Sequence, residues 1–218
     1  MISWTGANKP IKKVGLIGCG RMGRCMLEGM LAKGYSVVVY DKFPTAAQSA
    51  SALGAQAVPT PKEVAEQASV ILMSLPSPVQ LEDVLFGEGG MMASLTSDHV
   101  VIDTSTVDPQ TTRGLAARVG ECGAAYLDCP ILGRPSAAGK WMLPTGGSGE
   151  ALEKVKPVLL CFAANAVLVG DSGAGNALKL LNQMMFSCIN AISSELSCIP
   201  VSIHRSITPR YAEAKNAT

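Results

Sequence analysis

A single lysine stands among amides and hydroxyls in the segment GNALKLLNQMMFSCINAISSEL. Wound as an α-helix, Asn176, Lys179, Asn182, Gln183, Ser187, Asn190, Ser193 and Ser194 share one arc of about 140°, broken only by Phe186. Leu178, Leu180, Leu181, Met184, Met185, Ile189, Ile192 and Leu196 fill most of the remaining circumference. A stripe facing water usually carries several charges, whereas this one carries Lys179 alone. That composition suits a half-buried polar cleft. A lysine there loses solvation, its pKa falls, and it can exchange protons near neutral pH. Asn182 at i+3 and Gln183 at i+4 lie beside it on the same face. A surface lysine on a wetted helix is the plainer alternative.

A second group of residues suits phosphate chemistry. In VGLIGCGRMGRCM, Gly18, Gly20 and Gly23 stand in G-x-G-x-x-G spacing, after an apolar run and ahead of a helical pattern. The first glycine permits a tight turn, the second lets backbone approach a pyrophosphate, and the third lets helix and strand pack closely. Phosphate oxygens would sit on the free N–H groups at the helix start, where the dipole is positive. Asp41 ends the next β-branched run, SVVVYD, about 20 residues on, where a carboxylate accepts from ribose hydroxyls. A carboxylate also repels a 2′-phosphate, which favours NAD over NADP, although Lys42 beside it can pair with a phosphate. Two more loops follow apolar runs: Leu75-Pro76 after SVILM, and Thr104-Ser105-Thr106 after VVID. Each is also ordinary turn chemistry.

The elements that must position these residues follow from the apolar pattern. Strands are expected over 14–18, 36–41, 56–58, 69–75, 100–103, 124–128, 141–143 and 166–169. Helices are expected over 22–32, 45–53, 61–67, 109–119 and 150–160, with one long helix from Gly173 to about Ile199, stopped by Pro200. Strands alternating with helices imply parallel βαβ units, and short uninterrupted apolar runs fit strands covered on both faces. The expected class is α/β, a doubly wound, Rossmann-type parallel sheet followed by one long helix.

Composition excludes other classes. The 218 residues carry a net charge of +1, with 16% charged and 48% hydrophobic residues, and the mean hydropathy is +0.27. A disordered chain is more polar, and a nucleic-acid binder usually shows a basic stripe. No apolar run is long enough for a membrane span, and the first ten residues lack the pattern of a secretory signal. The seven cysteines form no C-x-x-C pair or cluster with the two histidines, so neither a metal site nor a disulfide framework is expected. Free thiols suit a reducing compartment, the cytoplasm by default, with the mitochondrion left open as an alternative.

Together these pieces resemble the β-hydroxyacid dehydrogenase family, which includes 3-hydroxyisobutyrate dehydrogenase and the glyoxylate/succinic semialdehyde reductases, with 6-phosphogluconate dehydrogenase more distant. The resemblance runs over 14–195. GLIGCGRMG is similar to the family's glycine loop with its methionine, here Met22. SLP resembles its cofactor-contacting loop, here with Leu75 and Pro76. IDTSTVDP resembles its D-x-S-T-x-x-P motif, whose last threonine, here Thr106, lies near the nicotinamide end. GAGNALKLLNQ resembles its G-x-G-x-x-x-K-x-x-N-N motif, whose lysine is the catalytic residue, here Lys179. The resemblance implies a cofactor, NAD or NADP, and a small hydroxy acid or its semialdehyde as substrate.

The chain departs from the family's D-x-P-V-S-G-G. It reads Asp128-Cys-Pro-Ile-Leu132-Gly133-Arg134, with Leu132 where a serine binds substrate. Gly133, Arg134, Asn182 and Gln183 are the expected substrate-side residues, with Arg134 able to grip a carboxylate if it points inward. Gln183 replaces the second asparagine. The family continues after the long helix into an all-helical domain, whereas residues 201–218 show no helical apolar stripe. The expected organisation is therefore a nucleotide-binding domain over 11–170, a long helix with the catalytic lysine over 171–200, and a short tail over 201–218 in place of the helical domain. The helix's apolar face then needs cover, from a partner chain or from a second copy in a homo-oligomer. A protein that binds the cofactor without turnover is the alternative to an enzyme.

Overall fold

The computed structural model describes residues 11–197, so the expected tail over 201–218 lies outside the described residues. Eight strands form one sheet: β1 (Lys13–Ile17), β2 (Ser36–Tyr40), β3 (Gln56–Ala57), β4 (Val70–Met73), β5 (Val100–Asp103), β6 (Ala125–Asp128), β7 (Trp141–Gly146) and β8 (Ala163–Gly170). Their order is β3-β2-β1-β4-β5-β6-β7-β8. Seven helices accompany them: α1 (Arg21–Ala32), α2 (Pro44–Ala52), α3 (Pro61–Gln67), α4 (Pro78–Phe86), α5 (Pro109–Gly120), α6 (Gly149–Leu159) and α7 (Ala174–Ser197). The chain divides into two compact units, Met1–Leu180 and Leu181–Thr218.

Alternate residues of each central strand serve opposite layers, as a period of two requires. Val14, Leu16, Val70, Leu72, Val100 and Ile102 join one buried cluster, which holds Met26, Leu27 and Met30 of α1 and Leu152, Val155 and Leu159 of α6. Ile17, Ile71, Met73 and Val101 join the other, with Val64 of α3, Leu81 and Leu85 of α4, and Leu115 and Val119 of α5. The result is a three-layer sandwich with helices on both faces of the sheet.

Local sequence fixes where several helices begin. Proline opens α2, α3, α4 and α5, at the position where a missing N–H costs nothing. Thr60 caps α3, Asp108 caps α5 and Ser148 caps α6, each with a side-chain oxygen accepting a helix N–H.

One junction departs from the parallel expectation. β7 runs antiparallel to β6, through the pair Asp128 and Gly146. A parallel return needs a crossover of a dozen or more residues, usually a helix. The connection here holds only a 3-10 turn, Pro135–Ala137. The chain therefore turns straight back. β8 then pairs parallel to β7 through α6.

The register matters for function. Ile17 lies beside Met73, Met73 beside Asp103, and Asp103 beside Asp128. The carboxyl ends of β1, β4, β5 and β6 thus finish level, and the four loops that follow meet at one edge. The chain reverses its winding between β1 and β4, which is where ligands of open α/β sheets bind.

Candidate active site

Gly18 leaves β1 with φ +91°, a conformation that L side chains rarely adopt. A Cβ there would run into the Ser74 carbonyl, and one on Gly23 would run into the Gly18 carbonyl oxygen. Helix α1 therefore sits against the loop as closely as backbone allows. Gly20 faces the other way: a Cβ there would meet no atom within 4 Å. Gly20 is also the cap residue of α1, with no side chain accepting from the first amides, and the first turn holds no acidic residue. Open space before uncapped helix N–H groups suits a pyrophosphate. The residues present fit a dinucleotide by that test.

Asp41 is tied into the same loop. One carboxylate oxygen accepts from the Cys19 N–H at 2.7 Å and the other from the Phe43 N–H at 2.8 Å. Both oxygens keep lone pairs for a ribose. Burial, helped by the Asp41 carboxylate, pushes the Cys19 thiol up to about 12. The thiol is therefore no nucleophile at neutral pH.

Beside this loop lies a cavity of about 350 Å³. Met22 of α1, Ser74, Leu75 and Pro76 after β4, and Thr104, Ser105 and Thr106 after β5 form one side. Ile131 and Gly133 after β6, with Lys179 of α7, form the other. Two bonds, one of them buried, fix the first side. The Leu75 N–H donates to Ser105 Oγ at 3.0 Å, and Thr104 Oγ1 donates to the Met73 carbonyl at 2.7 Å. Below them Asp103 is fully buried, accepting from the Ser105 N–H and the Tyr126 hydroxyl at 2.8 Å each. Burial outweighs these bonds and raises its carboxyl to about 6.

Lys179 Nζ donates to the Ile131 carbonyl at 2.7 Å. Partial burial lowers its pKa from the ordinary lysine value. Asp128, at the end of β6, is also fully buried. It accepts from the Gly173 N–H at 2.8 Å and the Asn176 N–H at 2.9 Å.

Of the expected site residues, Met22, Leu75, Pro76, Thr106, Gly133 and Lys179 line this one cavity. Gly18, Gly20, Gly23 and Asp41 form the adjoining loop. Arg134 is exposed and is not among the lining residues; its carbonyl accepts from Trp141 Nε1 at 2.7 Å. Gly133 has a packing reason of its own, since a Cβ there would strike the Trp141 ring. Asn182 and Gln183 fall on α7 beyond Leu180, in the second compact unit. Asp103, Asp128 and Asn176 received no role from the sequence. Their signal was position: each aspartate ends a strand at the ligand edge, and Asn176 shares the polar arc of Lys179.

A larger concavity, about 430 Å³, lies between α6 and β8. Its charged residues, Glu153 and Lys156, pair with each other at 2.8 Å. Among the described residues no group of His, Cys, Asp and Glu could hold a metal ion. None of their helices is long and apolar enough to cross a membrane.

Comparison with known proteins places this geometry. Residues 13–170 match the family profile described as the NAD binding domain of 6-phosphogluconate dehydrogenase. The chain is 33% identical over 176 residues to the mitochondrial 3-hydroxyisobutyrate dehydrogenase of Homo sapiens, covering 80% of this chain and 52% of that one. It is 34% identical to the 2-(hydroxymethyl)glutarate dehydrogenase of Eubacterium barkeri, covering 84% and 62%. The chain thus spans about half to two thirds of these relatives. A solved structure of Mycobacterium tuberculosis 3-hydroxyisobutyrate dehydrogenase with L-serine superposes with a TM-score of 0.78 at 25% identity, over 92% of this chain and 71% of that one.

Proposed function

The chain belongs to the β-hydroxyacid dehydrogenases built on the NAD-binding domain of 6-phosphogluconate dehydrogenase, and from that premise we propose that it moves a hydride between NAD and a small 3-hydroxy acid or its semialdehyde, with Lys179 as general acid and base. The observation that carries this reading is the lysine's place. Its ammonium hangs on the Ile131 carbonyl in the cavity that Met22, Leu75 and Thr106 share.

Gly18, Gly20 and Gly23 would hold the pyrophosphate on the N-terminus of α1. Asp41 would take the adenosine ribose, and its charge at that point disfavours a 2′-phosphate, so NAD is preferred over NADP. When bound, the nicotinamide supplies the hydride acceptor or donor. In oxidation, neutral Lys179 takes the hydroxyl proton as the carbon gives up its hydride. In reduction, protonated Lys179 returns a proton to the oxygen as negative charge develops there. The lowered pKa serves both directions, because it raises the neutral fraction near pH 7 without abolishing the charged one. The Ile131 carbonyl can only accept, so it holds the protonated lysine and leaves the neutral one free to accept from substrate. Gly133 lines the cavity and is assigned to the substrate, while for Arg134, Asn182 and Gln183 a substrate role rests on the family resemblance of their positions alone. Free cysteines among the described residues support a reducing compartment, which we take as the cytoplasm.

The test is turnover with a panel of short 3-hydroxy acids and semialdehydes, each with NAD and NADP, beside a cofactor titration. The reading expects NAD-linked turnover of at least one panel member. Tight NAD binding with no turnover of any member would instead favour a protein that binds the cofactor without catalysis.

A further inference from the structure

We infer that Asp128 and Asn176 form a clamp that fixes Lys179 against the loop carrying Thr106, and so act as its positioning residues. The clamp's purpose rests on the proposed role of Lys179; its geometry does not.

A helix leaves its first N–H groups without partners, and α3, α5 and α6 each satisfy one of theirs with the side chain of the residue just before the helix. Asp108 caps α5 from the adjacent position, and Ser148 does the same for α6. Helix α7 has no acidic residue in its own first turn. Its acceptor comes from the far end of β6 instead, where Asp128 takes the Gly173 and Asn176 amides with one oxygen each. A serine such as Ser148 accepts one such amide through its single hydroxyl oxygen, whereas Asp128 takes two. What only Asp128 adds is a fixed distance between α7 and the sheet. Gly175 shows how short that distance is, since a Cβ there would come within 2.6 Å of the Asp128 and Pro144 carbonyl oxygens.

Asn176 supplies the second hold. It is fully buried, and its amide spans two other elements. Oδ1 accepts from the Val107 N–H at 3.3 Å, and Nδ2 donates to Thr112 Oγ1 at 3.1 Å. Val107 directly follows Thr106, so this strut sets the spacing between α7 and the threonine loop. Lys179 lies one helical turn further on, and its ammonium reaches the carbonyl of Ile131, three residues past Asp128. The segment after β6 therefore grips the same turn of α7 at both ends. A flexible side chain is held where a reacting oxygen must meet it, as acid/base catalysis requires.

The experiment uses the full chain and reads Lys179 itself. The rate of amine acylation at Lys179 is followed against pH by mass spectrometry, without cofactor or turnover. Asp128→Asn and Asn176→Ala are the test variants. Thr60→Ala, which removes the α3 cap, is the control for a general loss of stability. The clamp predicts that the Lys179 midpoint rises by about one pH unit toward the ordinary lysine value in both test variants, as the freed ammonium regains water. The control keeps the native midpoint. NAD affinity stays within about twofold of native in all three, because the glycine loop is untouched. An unchanged midpoint in folded Asp128→Asn and Asn176→Ala overturns the clamp. If either variant fails to fold, Asn176→Asp replaces it. That change keeps the acceptor for Val107 and removes the donor to Thr112, and an unchanged midpoint in it overturns the clamp too. Absence of native turnover would defeat the proposed function while leaving this readout intact.

Discussion

The two walls of the cleft are built by different means. The cofactor wall is made of backbone and of the absence of side chains. Gly18 and Gly23 let α1 close on β1, and the side-chain link that ties the glycine loop, from Cys19 to Asp41, crosses 22 residues. The lysine wall is made of buried polar side chains that reach across the fold. Asp128 meets α7 over 48 residues, Lys179 meets Ile131 over 48, and Asn176 meets Val107 over 69. The first wall fails when a carbon is added, and the second fails when a polar atom is removed. Binding and chemistry are therefore separable by mutation.

The largest separation comes from Lys179→Ala. Loss of a general acid/base lowers kcat by about 10³-fold, with the NAD dissociation constant unchanged, as steady-state rates and a fluorescence titration will register. Gly23→Ala attacks the opposite wall. Its Cβ has no room against the Gly18 carbonyl, so NAD affinity falls about 100-fold by calorimetry, and the thermal midpoint falls as well. The acylation midpoint of Lys179 stays native in that variant. A smaller effect is expected of Asp41→Asn. It removes the charge that accepts from Cys19 and Phe43, and NAD affinity falls about tenfold while the preference over NADP narrows.

The smallest effect lies beneath the lysine-free side of the cavity and depends on pH. Asp103 has its carboxyl raised from 3.8 to about 6 in the folded protein. Between those values the folded state holds a proton that the unfolded chain has released. Its contribution to stability is therefore complete below about pH 4 and is lost as pH rises through about 6. Asp103→Asn has no such proton to lose. Thermal melts from pH 4 to pH 7 should show the variant gaining about 6 °C or more on the native chain across that window. A constant difference across the range would mean that Asp103 is ionised throughout.

The same contrast explains what could be read from sequence. Strands β1, β4 and β5 were legible because they are buried on both faces and read as unbroken apolar runs. The glycine loop was legible because its parts are contiguous. Helix α4 has little signal in the sequence: it spans nine residues, begins with Ser77 making no side-chain cap, and carries a weak apolar stripe. Strand β8 runs over Ala163–Gly170, longer than the expected 166–169, because this edge strand exposes most of its residues and lacks the alternation that marks a strand in sequence. The reversal at β7 follows from a connection without a helix, which apolar periodicity does not register. Asp128 and Asn176 were visible as residues but not as partners. A sequence shows which groups can hydrogen-bond, and only the fold shows which of them meet.

On the proposed function, Lys179 exchanges the proton that accompanies hydride transfer. The pH dependence of kcat for alcohol oxidation tests it most directly, in the native chain and in Lys179→Ala. The native rate is expected to rise with pH to a plateau, with an apparent pKa below lysine's ordinary 10.5 and a slope that disappears in the variant. The same rising limb in both proteins, at comparable rates, would contradict it.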